Sequence, residues 1–142
     1  MHFPLSGHKI VLRTFPGGLG LRIVSSAQVV LFLVEFKKLV QGGRFYLVPR
    51  KENLEALALL GWTEEVLVEF LCSLTPGNYV GGPEDDRGVP GEDIWVFGAE
   101  IEGTEYYIKL KIRGSGKRGK AVCLSFHEAK RPLVYPHRNH RA

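Results

Sequence analysis

Tyr107, Lys109, Lys111 and Arg113 occupy every second position of a segment whose other positions are Tyr106, Ile108, Leu110 and Ile112. In an extended strand alternate side chains point to opposite faces. One face is then apolar, and the other offers an aromatic ring and three cations, a surface suited to polyanions. His127, near the end of the next strand-like segment, adds an imidazole, a side-chain type used for proton transfer. These are the types that metal-free RNA cleavage requires. When the 2′-hydroxyl attacks the adjacent phosphate, the reaction needs a base for the hydroxyl, an acid for the leaving oxygen and positive charge beside the phosphorane. Histidine fills either proton-transfer role, and a nearby lysine or arginine supplies charge and could lower the pKa of a tyrosine. The competing reading is a strand-end histidine beside a solvent-facing row of lysines.

Strands must position these groups. Segments near 93–101, 104–113 and 120–127 read as a three-strand meander, with Glu102-Gly103 as a two-residue hairpin turn. With Ile101 opposite Thr104, the pairs Ala99–Tyr106, Phe97–Ile108 and Trp95–Leu110 share the apolar face, placing Trp95 and Phe97 in the core. An even offset in the second hairpin puts Val122, Leu124 and Phe126 on that face too. Ile112 then meets Val122, and His127 lies directly across from Tyr107. The polar face gathers Tyr107, Lys109, Lys111, Arg113, Ser125 and His127.

Upstream, Val30 to Val40 has helical spacing, with Phe32, Phe36, Leu39 and Val40 on one stripe, Lys37 and Lys38 facing away, and Gly42-Gly43 closing it. Arg44 to Val48 reads as a strand and Lys51 to Leu60 as a helix ended by Gly61. Thr63 caps a further helix whose stripe is Val66, Leu67, Phe70, Leu71 and Leu74. Thr75 to Glu92 reads as a long Gly/Pro-rich loop carrying Tyr79 and the acidic run Glu84-Asp85-Asp86. The class expected is α+β, an antiparallel sheet (the C-terminal meander plus one or more N-terminal strands) packed against two or three helices.

The 142-residue chain suits one domain over 29–138, preceded by an extension over 1–28 (a hairpin around Pro16-Gly17-Gly18, or partly disordered) and followed by a basic tail over 139–142. Net charge is +4, unevenly spread. Residues 51–105 hold thirteen of the fifteen acids, and residues 109–142 hold ten Lys and Arg against Glu128 alone. That asymmetry suggests an anion-binding face, with nucleic acid the usual partner. Cys72 and Cys123 stand apart in apolar runs, as core thiols of a reduced cytoplasmic protein would. No Cys/His cluster supports a metal, the acidic run reads as solvated, and no cofactor is expected. No apolar run is long enough for a bilayer. Gly114-Ser115-Gly116-Lys117 lacks the full phosphate-loop spacing and reads as a hairpin turn. His137 and His140 lie in basic sequence that would add phosphate affinity.

From about Phe32 to Arg138 the chain resembles the MqsR-type toxins of bacterial toxin–antitoxin systems, relatives of the RelE-like mRNA interferases. The resemblance rests on Glu35-Phe-Lys-Lys-Leu-Val with Gly43, Asn53-Leu to Leu60-Gly61, and Leu74-Thr-Pro before a tyrosine-bearing loop. It continues through Ile94-Trp95-Val-Phe97-Gly98, Tyr107-Ile-Lys109-Leu-Lys-Ile and Ser125-Phe126-His127. It implies a RelE-like fold and a small ribonuclease that cleaves mRNA and is held inactive by a cognate antitoxin protein. Tyr107 matches the family's Tyr-x-Lys tyrosine, and His127 falls where the last strand carries a functional basic residue. Where the family can carry a lysine after the loop tyrosine, this chain has Val80-Gly81-Gly82, leaving the activating charge to Lys109 or Arg113. The expected catalytic set is His127, Tyr107 and Lys109, with Lys111, Arg113, Tyr79, Lys130 and Arg131 contacting RNA. The alternative is a non-catalytic module that uses the same basic face to bind RNA or a protein.

Overall fold

In the computed structural model, residues 23–138 are described. The expected hairpin at 16–18 and the tail over 139–142, with His140, lie outside them. Residues 23–28, expected in the extension, belong to the domain. Val24 is buried, and Ser25 caps helix α1 (Ser26–Gln41) through a reciprocal capping box with Gln28. That box is why the helix starts four residues before Val30. Its inward stripe is Val29, Phe32, Leu33, Phe36 and Val40. Lys37 does not face away, because its Nζ donates to the Leu74 carbonyl at 2.6 Å.

Strand β1 (Phe45–Leu47) follows, then α2 (Lys51–Leu60) and α3 (Glu64–Cys72). Gly61 closes α2 with a left-handed φ of 71°, and Thr63 caps α3 by accepting the Val66 N–H. Leu67, Leu71 and Leu74 are buried, Phe70 is partly so, and Val66 is exposed. Pro76–Asn78 makes one 3-10 turn into β2 (Tyr79–Asp85). The stretch expected as a loop is therefore partly a strand. It sits at the sheet edge with an interrupted register against β3, where a proline can be tolerated.

The meander is β3 (Asp93–Ile101), β4 (Thr104–Arg113) and β5 (Lys120–Glu128). Glu102 (φ 53°) and Gly103 (φ 83°) both take positive φ, as a tight two-residue hairpin turn demands. The β3–β4 register is the one expected, from Ile101–Thr104 through Trp95–Leu110. The order is β1-β5-β4-β3-β2, and β1 joins β5 in parallel, so the sheet is mixed rather than wholly antiparallel. The fold is α+β, with the core formed by the three helices and one sheet face. Phe32 of α1 stacks on Trp95 at 4.7 Å between ring centroids, and Trp62 stacks on Phe126 at 5.8 Å. Among the described residues no helix is long and apolar enough to cross a membrane.

The second hairpin departs from the expected register in one respect. Tyr107–His127 and Lys109–Ser125 pair as anticipated, but Leu110 then pairs with Cys123 and Ile112 with Ala121. Leu124 is the extra residue of a β-bulge, which reverses the facing of everything before it. Ala121 and Cys123 therefore enter the core with Phe126, whereas Val122 turns to the opposite face beside Lys111. Asn53, fully buried, pins the bulge. Its Nδ2 donates to the carbonyls of Val48 (2.9 Å) and Leu124 (3.1 Å), and its Oδ1 accepts the Phe126 N–H at 2.9 Å. Asn53→Ala strands these backbone groups and is expected to cost about 2 kcal/mol in urea unfolding. An unchanged midpoint would mean that the bulge holds itself.

Candidate active site

The sheet face opposite the helices is organised in rows. Tyr107 lies between Gly98 and His127, Lys109 between Val96 and Ser125, and Lys111 between Ile94 and Val122. The Tyr107 and His127 rings are 5.7 Å apart, tilted by 34°, and Lys109 Nζ stands 5.7 Å from the Tyr107 ring centroid. All three side chains are part-exposed. The structure thus brings His127, Tyr107 and Lys109 together.

His127 Nδ1 lies 3.0 Å from the Glu128 carbonyl oxygen. A carbonyl only accepts, so the contact puts a proton on Nδ1 and leaves Nε2 of the neutral ring with its lone pair. Tyr107 behaves otherwise than expected. Burial, then the charge of Glu84, pushes its pKa up, so it stays a neutral phenol and a hydrogen-bond donor. The nearby lysine does not reverse this.

Arg50, which the sequence pattern did not single out, also reaches this face. It directly precedes α2, and its Nη1 donates to Ser125 Oγ at 3.3 Å. Ser125 pairs with Lys109 and stands two residues before His127, so a guanidinium joins the cluster from outside the meander. No local periodicity marks such a residue; only the return of β1 alongside β5 places it there.

One border of the site is the segment after β5. Glu105 Oε1 accepts the Leu133 N–H at 3.0 Å and Oε2 accepts the Tyr135 hydroxyl at 2.9 Å. Burial and this bond raise the Tyr135 pKa to about 12, keeping it a donor. The segment crosses directly over Gly98, where a Cβ would overlap Leu133 Cδ1 and sit 2.9 Å from the Tyr135 hydroxyl. Glycine is needed there for close approach. His137, expected to add phosphate affinity, is structural: its Nε2 lies 2.7 Å from the Val24 carbonyl oxygen and its ring stacks on Tyr79.

Two expected RNA contacts are placed elsewhere. Tyr79 is fully buried, its hydroxyl donating to the Gly82 carbonyl at 2.6 Å, because the loop expected to display it is the edge strand that seals the core. Lys111 is 1% exposed and held by Asp86 (2.6 Å) and Glu92 (2.8 Å). The turn between β2 and β3 folds over it, spending the cation on carboxylates. Asp86 is thereby drawn away from the acidic run, while Glu84 and Asp85 remain exposed. Arg113, Lys130 and Arg131 are exposed, and the surface pair Lys130–Glu52 at 3.7 Å contributes little. Cys123 is buried, Cys72 half-buried, and neither is bridged. Burial raises both thiols, Cys123 to about 12, which makes them poor nucleophiles. No protein-family model, curated protein or solved structure matches the chain.

Proposed function

We propose that this chain is a metal-independent endoribonuclease of the toxin class its motifs resemble, acting on mRNA and restrained by a cognate antitoxin protein. The observation that carries the reading is His127 across from Tyr107, its Nδ1 engaged by a carbonyl and its Nε2 open, with Lys109 and Arg50 alongside. Nε2 takes the proton of the 2′-hydroxyl as that oxygen bonds to phosphorus. Tyr107 donates a hydrogen bond to a phosphoryl oxygen, and Lys109 and Arg50 offset the charge of the phosphorane. The P–O5′ bond breaks, the 5′ oxygen takes a proton from water at this open face, and His127 returns its proton to solvent. The products are a 2′,3′-cyclic phosphate and a 5′-hydroxyl.

Single-stranded RNA incubated with the protein in EDTA should yield those two ends, while an all-deoxy strand of the same sequence stays intact. RNA that survives, or DNA cut at the same rate, would overturn the mechanism.

A further inference from the structure

The far end of the same face carries a second set of groups. Tyr46 lies in β1 between two core-facing neighbours, pairs with Val122, and is 40% exposed. The guanidinium carbon of Arg113 stands 5.8 Å from its ring centroid. Lys120 pairs with Arg113, and Lys117 and Arg118 are exposed on the adjoining turn. The nearby carboxylates Asp86 and Glu92 are engaged by Lys111, so they do not cancel this group in full. From Val122 to His127 the strand runs about 15 Å, with Arg50 and Ser125 between.

We propose that Tyr46 and Arg113 form a second RNA contact, an aromatic and cationic platform on which a base of single-stranded RNA stacks, away from the scissile phosphate. The choice of RNA rests on the ribonuclease reading above; the chemistry of the contact rests on the platform itself. An exposed ring offers its face to any unpaired base, and surrounding cations hold the backbone. A base within a duplex presents no free face, so the platform selects single strands. Arg50, midway, continues the line of positive charge from one contact to the other. This gives the enzyme a reach longer than one phosphate, set by sheet geometry.

The test is equilibrium binding, by fluorescence anisotropy, of a 2′-O-methyl single-stranded oligonucleotide, which lacks the attacking hydroxyl and cannot be cut. Tyr46→Ala is expected to weaken binding about tenfold, Tyr46→Phe to stay within about twofold, and a fully paired duplex to be indifferent to either. Arg113→Ala, also at an exposed position, should weaken binding and reduce the salt dependence by about one counterion. Binding of the single strand that is unchanged in Tyr46→Ala, or absent in the wild type, overturns the platform. So does loss of an acidic protein partner in Tyr46→Ala with RNA binding intact. Tyr46-dependent binding by a wild type that never cleaves RNA supports the platform and removes the catalytic reading. Cleavage with Tyr46-independent binding does the reverse.

Discussion

Replacing His127 with alanine is expected to slow RNA cleavage by about 10²–10⁴-fold while leaving affinity for the uncleavable oligonucleotide within about twofold. The size follows from the role. In the neutral ring Nε2 is the open acceptor, since Nδ1 is committed to the Glu128 carbonyl, and Tyr107 is held as a phenol that cannot replace it. Binding survives because the phosphate contacts come from other side chains, Lys109 and Arg50 nearby and Arg113 beyond. His127 is part-exposed at a strand end, so the substitution leaves no buried cavity. Single-turnover rates with protein in excess separate the chemical step from product release. Rates within a few-fold of wild type would remove His127 from the proton transfer and point to a contaminating nuclease, which the same mutant preparation would also reveal. Tyr107→Phe, which loses only a hydrogen bond, should fall between the two.

Lys111→Met should destabilise the domain by about 3 kcal/mol, lowering Tm by roughly 10 °C. Lys111 is almost wholly buried, and its removal leaves Asp86 and Glu92 facing one another without a counter-charge. Asp86 is the stronger partner. Its Oδ2 is a hydrogen-bond acceptor at 2.6 Å, whereas Glu92 Oε1 lies 2.8 Å away but off a good hydrogen-bond direction. Glu92 is held further by the Gly114 N–H at 3.1 Å. Burial opposes the lysine charge, but the two carboxylates outweigh it and hold the ammonium above its usual pKa. The Lys111 ammonium, hydrogen-bonded to Asp86 and in close ionic contact with Glu92, in turn draws both carboxyls below their usual range.

The pH dependence has a definite sign. A carboxyl with a depressed folded-state pKa contributes fully above its unfolded value near 4 and loses that contribution as pH falls through the folded value. A lysine with a raised pKa contributes below its unfolded value and loses it only as pH rises through the folded one. Wild-type stability should therefore fall steeply below about pH 4, and Lys111→Met should show a flatter acid limb. Combining Lys111→Met with Asp86→Asn and Glu92→Gln should recover part of the loss, because the repelling charges are gone. A single mutant as stable as wild type, with an unchanged acid limb, would show that the turn over Lys111 is held by something else.

How much of this was legible beforehand depends on which residues are asked about. The meander, its turn at Glu102-Gly103 and the placing of Trp95 and Phe97 inward all follow from two-residue alternation, which a strand cannot satisfy in two ways when one face is polar. The ends of α2 and α3 follow from Gly61 and Thr63. Tyr107 across from His127 holds as well, although the anchor chosen for it, Ile112 opposite Val122, gives way to Ile112 opposite Ala121; the pair survives because the residues between it and the bulge keep their alternation.

The bulge at Leu124 is different. Ala121, Val122, Cys123 and Leu124 are all apolar, so either parity buries a plausible set, and the choice falls to partners: β1 beside Ala121 and Cys123, and Asn53 on the bulged backbone. Tyr79 offered no cue either, because a Gly/Pro-rich segment reads as a loop until an edge strand accepts it. The stripe of Lys109, Lys111 and Arg113 shows the division most plainly. Alternation put the three cations on one face, but it carries no information about what covers that face. A turn with two carboxylates, more than fifteen residues earlier in the chain, closes over the middle one. A guanidinium from before α2 reaches the face from the other side, and a tyrosine from β1 meets Arg113. Where apolar and polar residues alternate without a break, as along β3 and β4, the sequence by itself determined which side chains share a face, because that depends on neighbours one and two residues away. Only the tertiary structure decided which of them meet solvent, because burial is set by segments that are distant in the chain.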